Sequence, residues 1–516
     1  MHHLSTALPE RFNFAAHLMQ LNAARAAKIA YIDDNSSVSY GELDERIRRV
    51  AAGLLARGIR REERVLLIMQ DSVDLPVAFL GALFAGIVPV PVNTLLPVAD
   101  YAYMIEHSNA RAIIVSAPLL AHVQEALADA GNAAEVIVSG DVQTGYSSMA
   151  DLLQSAPLAH DAGAATRADD FAFWLYSSGS TGRPKGTVHS HANLFWTAEL
   201  YAKPVLGMRS DDIVFSAAKL FFAYGLGNGL TFPLSVGATV ILMAERPTPK
   251  AVFQRLVANQ PTVFCGVPTL FVAMLASPEL PAKSAVALRI CASAGEALPR
   301  EVGEKFHQRF GCEILDGLGS TEMLHIFISN RSGHVRYGTS GQAVPGYEVE
   351  LRNEDNLPVA TGEIGDLYVR GPSAALLYWA NREKSRATFL GDWLKSGDKY
   401  SADAQGFYTY AGRSDDMLKV SGQYVSPIEI ESALIEHPAV LECAVVGKTD
   451  VDGLTKTAAY VVLNGAQAGT PALIDELKAF VKSRLTPHKY PREILFVSDL
   501  PKTATGKIQR FKLRAQ

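Results

Sequence analysis

The chain has 516 residues, of which 48% are hydrophobic and 20% are charged. These proportions are ordinary for a globular protein and exclude an intrinsically disordered chain, and the length predicts more than one domain. The 48 basic and 53 acidic residues leave a net charge of −5 at pH 7, without the basic excess of a nucleic-acid-binding protein. The longest apolar stretch, residues 77–92, contains two prolines and is shorter than the roughly 20 residues of a membrane span, so we expect no membrane segment.

The cysteines occur singly, at Cys265, Cys291, Cys312 and Cys443. No two of them have the spacing of metal ligands, so we predict buried free thiols in a reducing compartment. The first residues lack the basic start and the apolar run of a signal peptide. We therefore expect a cytoplasmic protein.

Helices and strands alternate in the first part of the chain. Apolar residues at helical spacing predict amphipathic helices, and short apolar runs predict buried strands. The predicted elements are, in chain order, a helix over 40–54, a strand over 65–69, a helix over 77–86, an extended segment over 88–92, and strands over 112–115 and 136–138. This alternation predicts an α/β fold, with parallel sheets covered by helices on both faces.

The pattern changes near Gly412. The last hundred or so residues predict a small α+β domain. Its predicted elements are strands over 441–446, 458–463 and 494–497 and a helix over 473–485. The polar segment 410–416 is suited to a turn or hinge, so we predict two domains, 1–411 and 412–516.

The strongest functional signal is the segment Ser-Ser-Gly-Ser-Thr-Gly-Arg-Pro-Lys-Gly at 177–186. Small residues let backbone N–H groups approach phosphate oxygens, while hydroxyl and cationic side chains add further contacts. A strand-like run at 171–176 precedes it and a helix-like run at 189–201 follows. The Gly-Lys-Ser/Thr order of a Walker A loop is absent. A flexible Gly/Ser linker is the alternative, but the apolar strand immediately before the segment disfavours it.

Four weaker segments follow. Residues 316–322 (Asp-Gly-Leu-Gly-Ser-Thr-Glu) predict a glycine-rich turn that could place a hydroxyl on phosphate and a carboxylate on Mg²⁺, although Ser-Thr-Glu also caps helices. Residues 395–398 (Lys-Ser-Gly-Asp) could bind ribose hydroxyls or form a plain turn. Residues 412–416 lie at the predicted boundary. Lys507, within 501–508, is either functional or an ordinary solvated lysine.

Together, in this order and spacing, the five segments resemble the adenylate-forming superfamily of acyl-CoA synthetases, peptide-synthetase adenylation domains and firefly luciferase. The resemblance covers essentially the whole chain. It implies a large N-terminal domain of sheets flanked by helices and a small, mobile C-terminal domain. It also implies ATP, Mg²⁺ and coenzyme A as cofactors and co-substrates.

Taken one motif at a time, the resemblance implies a nucleotide site built around the pyrophosphate group that leaves ATP in the reaction. The residues implied to bind ATP are Ser177, Ser178, Gly179, Ser180, Thr181, Gly182, Lys185, Gly295, Glu296, Asp316, Gly317, Leu318, Gly319, Ser320, Thr321, Asp398 and Arg413. Lys507, Thr181 and Glu322 would be catalytic, with Glu322 also binding the metal, and Asp415 would be the hinge. Leu318 stands where many members of the family have a tyrosine.

Within the family the chain is most similar to the benzoate–CoA ligases. The resemblance rests on residues 221–225, 293–296 and 323–326. It implies an acid-binding slot formed by Ala223, Tyr224, Ala294, Gly295, Leu324, His325 and Ile326, with Lys507 at the carboxylate. A CoA channel would include Ser421, Gly422 and Gln423.

The activity implied is ATP-dependent adenylation of a small aromatic carboxylic acid, followed by transfer of the acyl group to CoA. Two alternatives remain open: an adenylation domain that loads a carrier protein, and a luciferase-like oxygenase. A non-catalytic acyl-binding protein is disfavoured because Lys507, Glu322 and Thr181 are all present. The sequence does not determine the oligomeric state, and a homodimer is compatible with it.

Overall fold

The computed structural model describes residues 8–131, 133–141, 145–179, 182–414, 418–420, 423–449, 455–465, 467–485, 489–502 and 508–514. The chain divides into two compact units, Met1–Glu348 with Val369–Leu394, and Val349–Tyr368 with Lys395–Gln516. The larger unit is N-terminal and the smaller one is mainly C-terminal, as the sequence predicted. The division places residues 349–368 and 395–411 in the smaller unit, so the domain boundary at residue 412 stays a prediction.

The α-helices, in chain order, are α1 (Phe14–Asn22), α2 (Tyr40–Ala56), α3 (Asp74–Phe84), α4 (Val98–Ser108), α5 (Leu120–Ala130), α6 (Met149–Leu153), α7 (His191–Thr197), α8 (Ala223–Leu226), α9 (Phe232–Val236), α10 (Pro249–Asn259), α11 (Pro268–Ala276), α12 (Arg300–Phe310), α13 (Arg382–Thr388), α14 (Pro427–Ile435), α15 (Pro471–Lys482) and α16 (Arg510–Arg514). Three short 3₁₀ turns lie at Ala23–Arg25, Ala117–Leu119 and Lys283–Ala285, and two π-helical turns lie at Ala198–Ala202 and Gly227–Thr231.

The strands, in chain order, are β1 (Ile29–Ile32), β2 (Ser37–Ser39), β3 (Arg64–Ile68), β4 (Val88–Pro91), β5 (Ala112–Ser116), β6 (Glu135–Ser139), β7 (Ser147–Ser148), β8 (Phe171–Gly179), β9 (Gly182–Ser190), β10 (Ile213–Ser216), β11 (Thr239–Ile241), β12 (Val263–Gly266), β13 (Ile290–Ala294), β14 (Glu313–Gly319), β15 (Ile326–Ser329), β16 (Gln342–Ala343), β17 (Glu348–Arg352), β18 (Gly365–Arg370), β19 (Leu377–Tyr378), β20 (Phe389–Leu390), β21 (Trp393–Ala402), β22 (Tyr408–Arg413), β23 (Leu418–Val420), β24 (Gln423–Val425), β25 (Val440–Thr449), β26 (Thr455–Leu463) and β27 (Glu493–Phe496).

Three sheets organise the larger unit. A nine-stranded sheet has the order β16-β15-β14-β13-β12-β10-β11-β1-β2, and a five-stranded sheet has the order β4-β3-β5-β6-β7. A smaller sheet, β19-β9-β8, carries the predicted phosphate-binding segment. The pairs from β11 through β10, β12 and β13 to β14 are parallel, so the carboxyl ends of these strands share one edge, where ligands of α/β sheets commonly bind.

The five-stranded sheet is buried on both faces. Val65 and Leu67 of β3 belong to the same apolar cluster as residues of α2 and α3, whereas Leu66 and Ile68 cluster with residues of α4 and α5. Successive side chains of a strand point to opposite faces, which explains why the sequence of β3 is a continuous apolar run. The predicted α/β architecture is confirmed.

The described part of segment 177–186 lies in a β-hairpin rather than a loop, whereas the predicted strand over 171–176 is confirmed within β8 and the predicted helix begins at His191 instead of residue 189. β8 and β9 pair antiparallel, with Ser177 opposite Lys185, and β9 continues to Ser190 before α7 begins. Leu377 and Tyr378 of β19 pair with the other edge of β9 and hold it extended. This partner lies almost 200 residues away in the chain and is invisible to local patterns.

Asp316, Gly317, Leu318 and Gly319 also differ from the prediction. They form the end of β14 rather than a turn, because β14 pairs with β13 on one side and with β15 on the other. Pairing on both edges overrides the turn preference of the two glycines. The turn begins only at Ser320.

Among the described residues, the smaller unit contains strands of three sheets, of which the β23-β24 pair is the smallest. Strands β17, β18, β21 and β22 belong to one of them, and β25, β26 and β27 form another, which packs with α14 and α15. The strands and helix predicted between residues 441 and 497 are confirmed. Residues 395–398 and 410–413 were predicted as turns, but they lie in β21 and β22, where Asp398 pairs with Arg413.

The four cysteines are buried free thiols, as predicted. Those of Cys291 and Cys312 are neighbours, with 3.9 Å between their sulfur atoms. Throughout the described ranges, no helix has both the length and the apolar character that crossing a bilayer requires.

Candidate active site

The β8–β9 hairpin presents the first group of predicted site residues. Gly179 pairs with Gly182 next to the tip, and the two strands include Ser178. Ser180 and Thr181 lie outside the described residues. Below the tip, Ser177 Oγ lies 3.5 Å from Thr187 Oγ1 and 3.5 Å from Glu322 Oε1. Helix α7 begins only at the far end of β9, after Ser190, so any phosphate bound near Ser177 and Lys185 would meet backbone N–H groups, hydroxyls and the Lys185 ammonium rather than a helix N-terminus.

The second group lies at the carboxyl edge of the nine-stranded sheet. Ala294 ends β13 beside Gly317 of β14, and Gly319 pairs with Ile326 of β15. Gly295 follows β13 with a φ of +97°, a left-handed conformation that favours glycine, and Glu296 comes next. Along these adjacent strand ends, residues predicted to bind the nucleotide therefore alternate with residues predicted to bind the acid.

Glu322 lies in the connection between β14 and β15, whose backbone is held at successive carbonyls. The Thr321 carbonyl accepts a hydrogen bond from Nε2 of His189 at 2.8 Å, and the Glu322 carbonyl accepts one from the Ala375 N–H at 2.7 Å. Ser320 Oγ accepts from the Met323 N–H at 3.1 Å. These contacts give the carboxylate of Glu322 a defined place 3.7 Å from the ammonium of Lys185.

His325 and Tyr224 form the buried part of the predicted acid slot. Their rings stack with 5.5 Å between centroids, and Nε2 of His325 lies 3.3 Å from the Tyr224 carbonyl oxygen. Phe232 packs edge-on against the same imidazole at 4.4 Å. A Cβ on Gly227 would lie 2.3 Å from His325 Cδ2, so only glycine leaves room for this ring. The π-helical turn that contains Gly227 follows α8, which begins at Ala223.

The walls of this slot are apolar and uncharged. Leu324 and Ile326 are buried, and Leu324 has a φ of +65°, which is strained for a residue with a branched side chain. Burial lowers the pKa of His325 to about 3, so its imidazole is neutral at pH 7. Among the described residues, His325 Nδ1 and the Tyr224 hydroxyl have no hydrogen-bond partner.

Asp316 carries an uncharged carboxyl group. It is fully buried in β14, and burial raises its pKa to about 8. The group therefore keeps its proton at pH 7.

Two family models match the chain over most of its length. The model described as AMP-binding enzyme matches residues 19–379, and the model described as AMP-binding enzyme C-terminal domain matches residues 429–507. The chain belongs to the AMP-binding enzyme family.

Individual members of the AMP-binding enzyme family align over nearly the full chain. A benzoate–CoA ligase of Thauera aromatica is 56% identical over 512 residues, with 98% of this chain and 97% of that protein covered. A 4-hydroxybenzoate–CoA/benzoate–CoA ligase of Rhodopseudomonas palustris is 47% identical, with 98% and 94% covered. The crystal structure of a benzoate CoA ligase from Burkholderia xenovorans LB400 is 64% identical, with a TM-score of 0.92 and 98% and 100% coverage. The large α/β domain and the small C-terminal domain of these adenylate-forming enzymes are therefore the fold of this chain.

The remaining predicted residues of this AMP-binding enzyme lie in its smaller unit. Arg413 Nη1 donates to Asp398 Oδ1 at 3.0 Å, so these two predicted ATP-binding residues form an ion pair. Gln423 begins β24. Asp415, Ser421, Gly422 and Lys507 lie outside the described residues.

Two residues beside Glu322 were missed by sequence reasoning. His189 lies three residues beyond the phosphate-binding segment, and Tyr378 lies in a two-residue strand far from every quoted motif. Their side-chain types, imidazole and phenol, were the only local signal. Both were found only because the fold brings them to residues 321 and 322.

Proposed function

We propose that this AMP-binding enzyme activates benzoate, or a close aromatic acid, with ATP and transfers the acyl group to CoA, giving benzoyl-CoA, AMP and pyrophosphate. One observation carries the proposal. The His325–Tyr224 slot and Glu322 lie at the same edge of the nine-stranded sheet, and His325 is only three residues from Glu322 along the chain. The relatives at 56% and 64% identity, whose names specify benzoate and CoA, support the choice of substrates.

In the first half-reaction, a carboxylate oxygen of the acid attacks the α-phosphorus of ATP and pyrophosphate leaves. Two anions must approach each other, so catalysis depends on positioning and on neutralisation of charge. The hairpin with Ser177 and Lys185 would hold the departing pyrophosphate, together with Ser180 and Thr181. Lys507 would supply the positive charge between the acid and the α-phosphate.

Glu322 fits the requirements of a Mg²⁺ ligand. Mg²⁺ in nucleotide sites typically takes one or two carboxylates, with phosphate oxygens and water completing its shell. Glu322 offers one carboxylate beside Ser177 and Lys185, and its side chain is 16% exposed. When bound, the metal ion would neutralise phosphate charge, while Glu322 would orient it.

The acid slot would select a short, flat substrate. Ala294 and Gly295 leave space on one side, and Tyr224 and His325 provide aromatic surfaces on the other. Because His325 is neutral and Asp316 keeps its proton, the ring would meet no net charge there. Leu318, in place of the tyrosine common in the family, would offer adenine an aliphatic contact.

The second half-reaction would follow a rotation of the C-terminal domain about Asp415. This movement would withdraw Lys507 and bring the segment with Ser421, Gly422 and Gln423 to the site. The CoA thiol would then attack the acyl carbonyl carbon and AMP would leave, with Asp398 and Arg413 binding the ribose. The division into domains 1–411 and 412–516 belongs to this proposal.

One experiment tests the function directly. Exchange of labelled pyrophosphate into ATP is measured across a panel of aromatic and aliphatic acids, and AMP and acyl-CoA are then measured after addition of CoA. We expect exchange to be greatest with benzoate and AMP release to require CoA alone. Exchange without CoA-dependent turnover would indicate a carrier-protein-loading domain, and light or oxygen uptake would indicate a luciferase-like oxygenase.

A cytoplasmic location is also part of the proposal, supported by the four buried free thiols. A homodimer stays a prediction, which light scattering coupled to size-exclusion chromatography would test.

A further inference from the structure

The hydroxyl of Tyr378 lies between the two charged side chains of the candidate site. It donates a hydrogen bond to Glu322 Oε1 at 2.8 Å and accepts one from Lys185 Nζ at 3.3 Å. The same ammonium lies 4.4 Å from the centroid of the Tyr378 ring. We propose that Tyr378 is a positioning residue, which orients the Glu322 carboxylate and keeps it apart from Lys185. This inference rests on the proposed adenylation activity.

The backbone and ring of Tyr378 are themselves held firmly. Its strand pairs with β9 opposite Thr187, and its N–H donates to Ser385 Oγ at 3.0 Å. The next residue, Trp379, donates its N–H to the Gly186 carbonyl at 2.7 Å. The ring also packs on Phe389, with 5.2 Å between centroids. The hydroxyl of Tyr378 therefore projects from a strand whose position is fixed by its pairing with β9 of the phosphate-binding hairpin.

This arrangement keeps two opposite charges near each other without a direct hydrogen bond. Lys185 Nζ and Glu322 Oε1 are 3.7 Å apart, and each side chain is only 16% exposed. At this burial solvent screens the pair incompletely, and a cation and an anion attract strongly. If this ion pair closed to a direct hydrogen bond, Lys185 would be less available to phosphate and Glu322 less available to a metal ion. A neutral hydroxyl that contacts both disfavours that closure.

The loop that carries Glu322 has other contacts that do not depend on Tyr378. Its backbone carbonyls accept hydrogen bonds from His189, from the Ala375 N–H and, at Met323, from Ser373 Oγ at 2.8 Å. Replacement of Tyr378 by phenylalanine should therefore leave the backbone of the loop in place and remove only the hydrogen bond that orients the Glu322 carboxylate. A positioning role and a general structural role can thus be separated.

The test compares Tyr378→Phe with Tyr40→Phe and Glu322→Gln in the full-length protein. Tyr40 is a matched control because its hydroxyl also makes a hydrogen bond, to the Ala238 carbonyl at 2.6 Å, and contacts neither Glu322 nor Lys185. Binding of Mn²⁺ to the enzyme–ATP complex is followed by electron paramagnetic resonance, binding of ATP without divalent cations by calorimetry, and folding by thermal unfolding. Mn²⁺ serves as the observable substitute for Mg²⁺.

In Tyr378→Phe we expect the Kd of Mn²⁺ to rise about tenfold, as for one lost hydrogen bond to a charged group, whereas metal-free ATP binding changes by less than about twofold. Glu322→Gln should lose more Mn²⁺ affinity, and Tyr40→Phe should keep the wild-type value. Wild-type Mn²⁺ affinity in Tyr378→Phe, or equal losses in both tyrosine variants, would overturn the inference. Absence of Mn²⁺–ATP binding and of pyrophosphate exchange in the wild-type protein would instead overturn the proposed function.

Discussion

His189 contacts Thr321 although 132 residues separate them in the chain: Nε2 lies 2.8 Å from the carbonyl oxygen. A carbonyl oxygen can only accept, so Nε2 carries the proton and donates it. Burial lowers the pKa of His189 to about 4, which leaves the ring neutral at pH 7 and stacked on Phe173 at 5.2 Å. His189 thus connects the β8–β9 hairpin to the residue that precedes Glu322.

His189→Phe should keep the ring packing and remove both ring-nitrogen contacts, that of Nε2 with the Thr321 carbonyl and that of Nδ1 with Asn193 Oδ1 at 3.1 Å. The Thr321 carbonyl still accepts from the Leu324 N–H at 3.1 Å and Asn193 Oδ1 still accepts from the Ser190 N–H at 3.0 Å, so we expect the free energy of unfolding to fall by only about 1–2 kcal/mol. Displacement of Glu322 should lower kcat/KM for pyrophosphate exchange by about 10- to 100-fold. Urea unfolding and exchange assays measure the two effects. His191→Gln is the control, because buried His191 contacts the Phe14 N–H instead; an equal loss of exchange there would contradict the prediction.

Asp316→Asn should stabilise the protein above neutral pH. The unfolded carboxyl ionises near pH 3.9, whereas the folded one keeps its proton to about pH 8. The stability contributed by this proton is present below about pH 4 and is lost as the pH rises through 8. We therefore expect Asp316→Asn to unfold at higher urea concentration than the wild type at pH 8.5, with a smaller difference at pH 6. If the free energies of unfolding of the two proteins changed with pH in the same way, the raised pKa of Asp316 would be refuted.

Gly227→Ala should impair acid binding more than nucleotide binding. The new Cβ would lie 2.3 Å from His325 Cδ2 and would displace the ring from Tyr224. Overpacking of this kind costs about 1–3 kcal/mol, so the KM for benzoate should rise about 10- to 100-fold while the KM for ATP is kept. Gly229→Ala is the matched control, since its Cβ would meet only the flexible end of Leu220 at 2.8 Å. A comparable rise in both variants would argue against His325 as part of the slot.

Lys507→Ala should separate the two half-reactions. Loss of one charge-stabilising group should slow adenylation by about 10²- to 10³-fold, while thioester formation from supplied benzoyl-adenylate is largely spared. Rapid-quench measurements of each step would show the split. Lys502→Ala is a suitable control, because Lys502 pairs with Glu442 at 2.6 Å. Equal losses in both half-reactions of Lys507→Ala would contradict the proposed role.

Local patterns predicted many elements of the fold but few of those that carry the site. β3, α2, α3 and the strands of the C-terminal unit have strong apolar periodicity, and the structure contains them close to the predicted bounds. The patterns failed where pairing across long distances decides the conformation. In β9, residues 187 and 188 pair with β19 and residues 189 and 190 pair with β8, and residues 316–319 are extended because β14 pairs on both edges.

The sequence by itself determined which chemical groups are present and in what order, and therefore the family, the phosphate-binding segment and Glu322. Only the tertiary structure decided that Tyr378 contacts Glu322, that His189 holds Thr321, and that Asp316 keeps its proton. The physical reason is that orientation and pKa depend on burial and on partners that lie 56 and 132 residues away in the chain. A linear pattern contains the donors and acceptors, but only the folded chain pairs them.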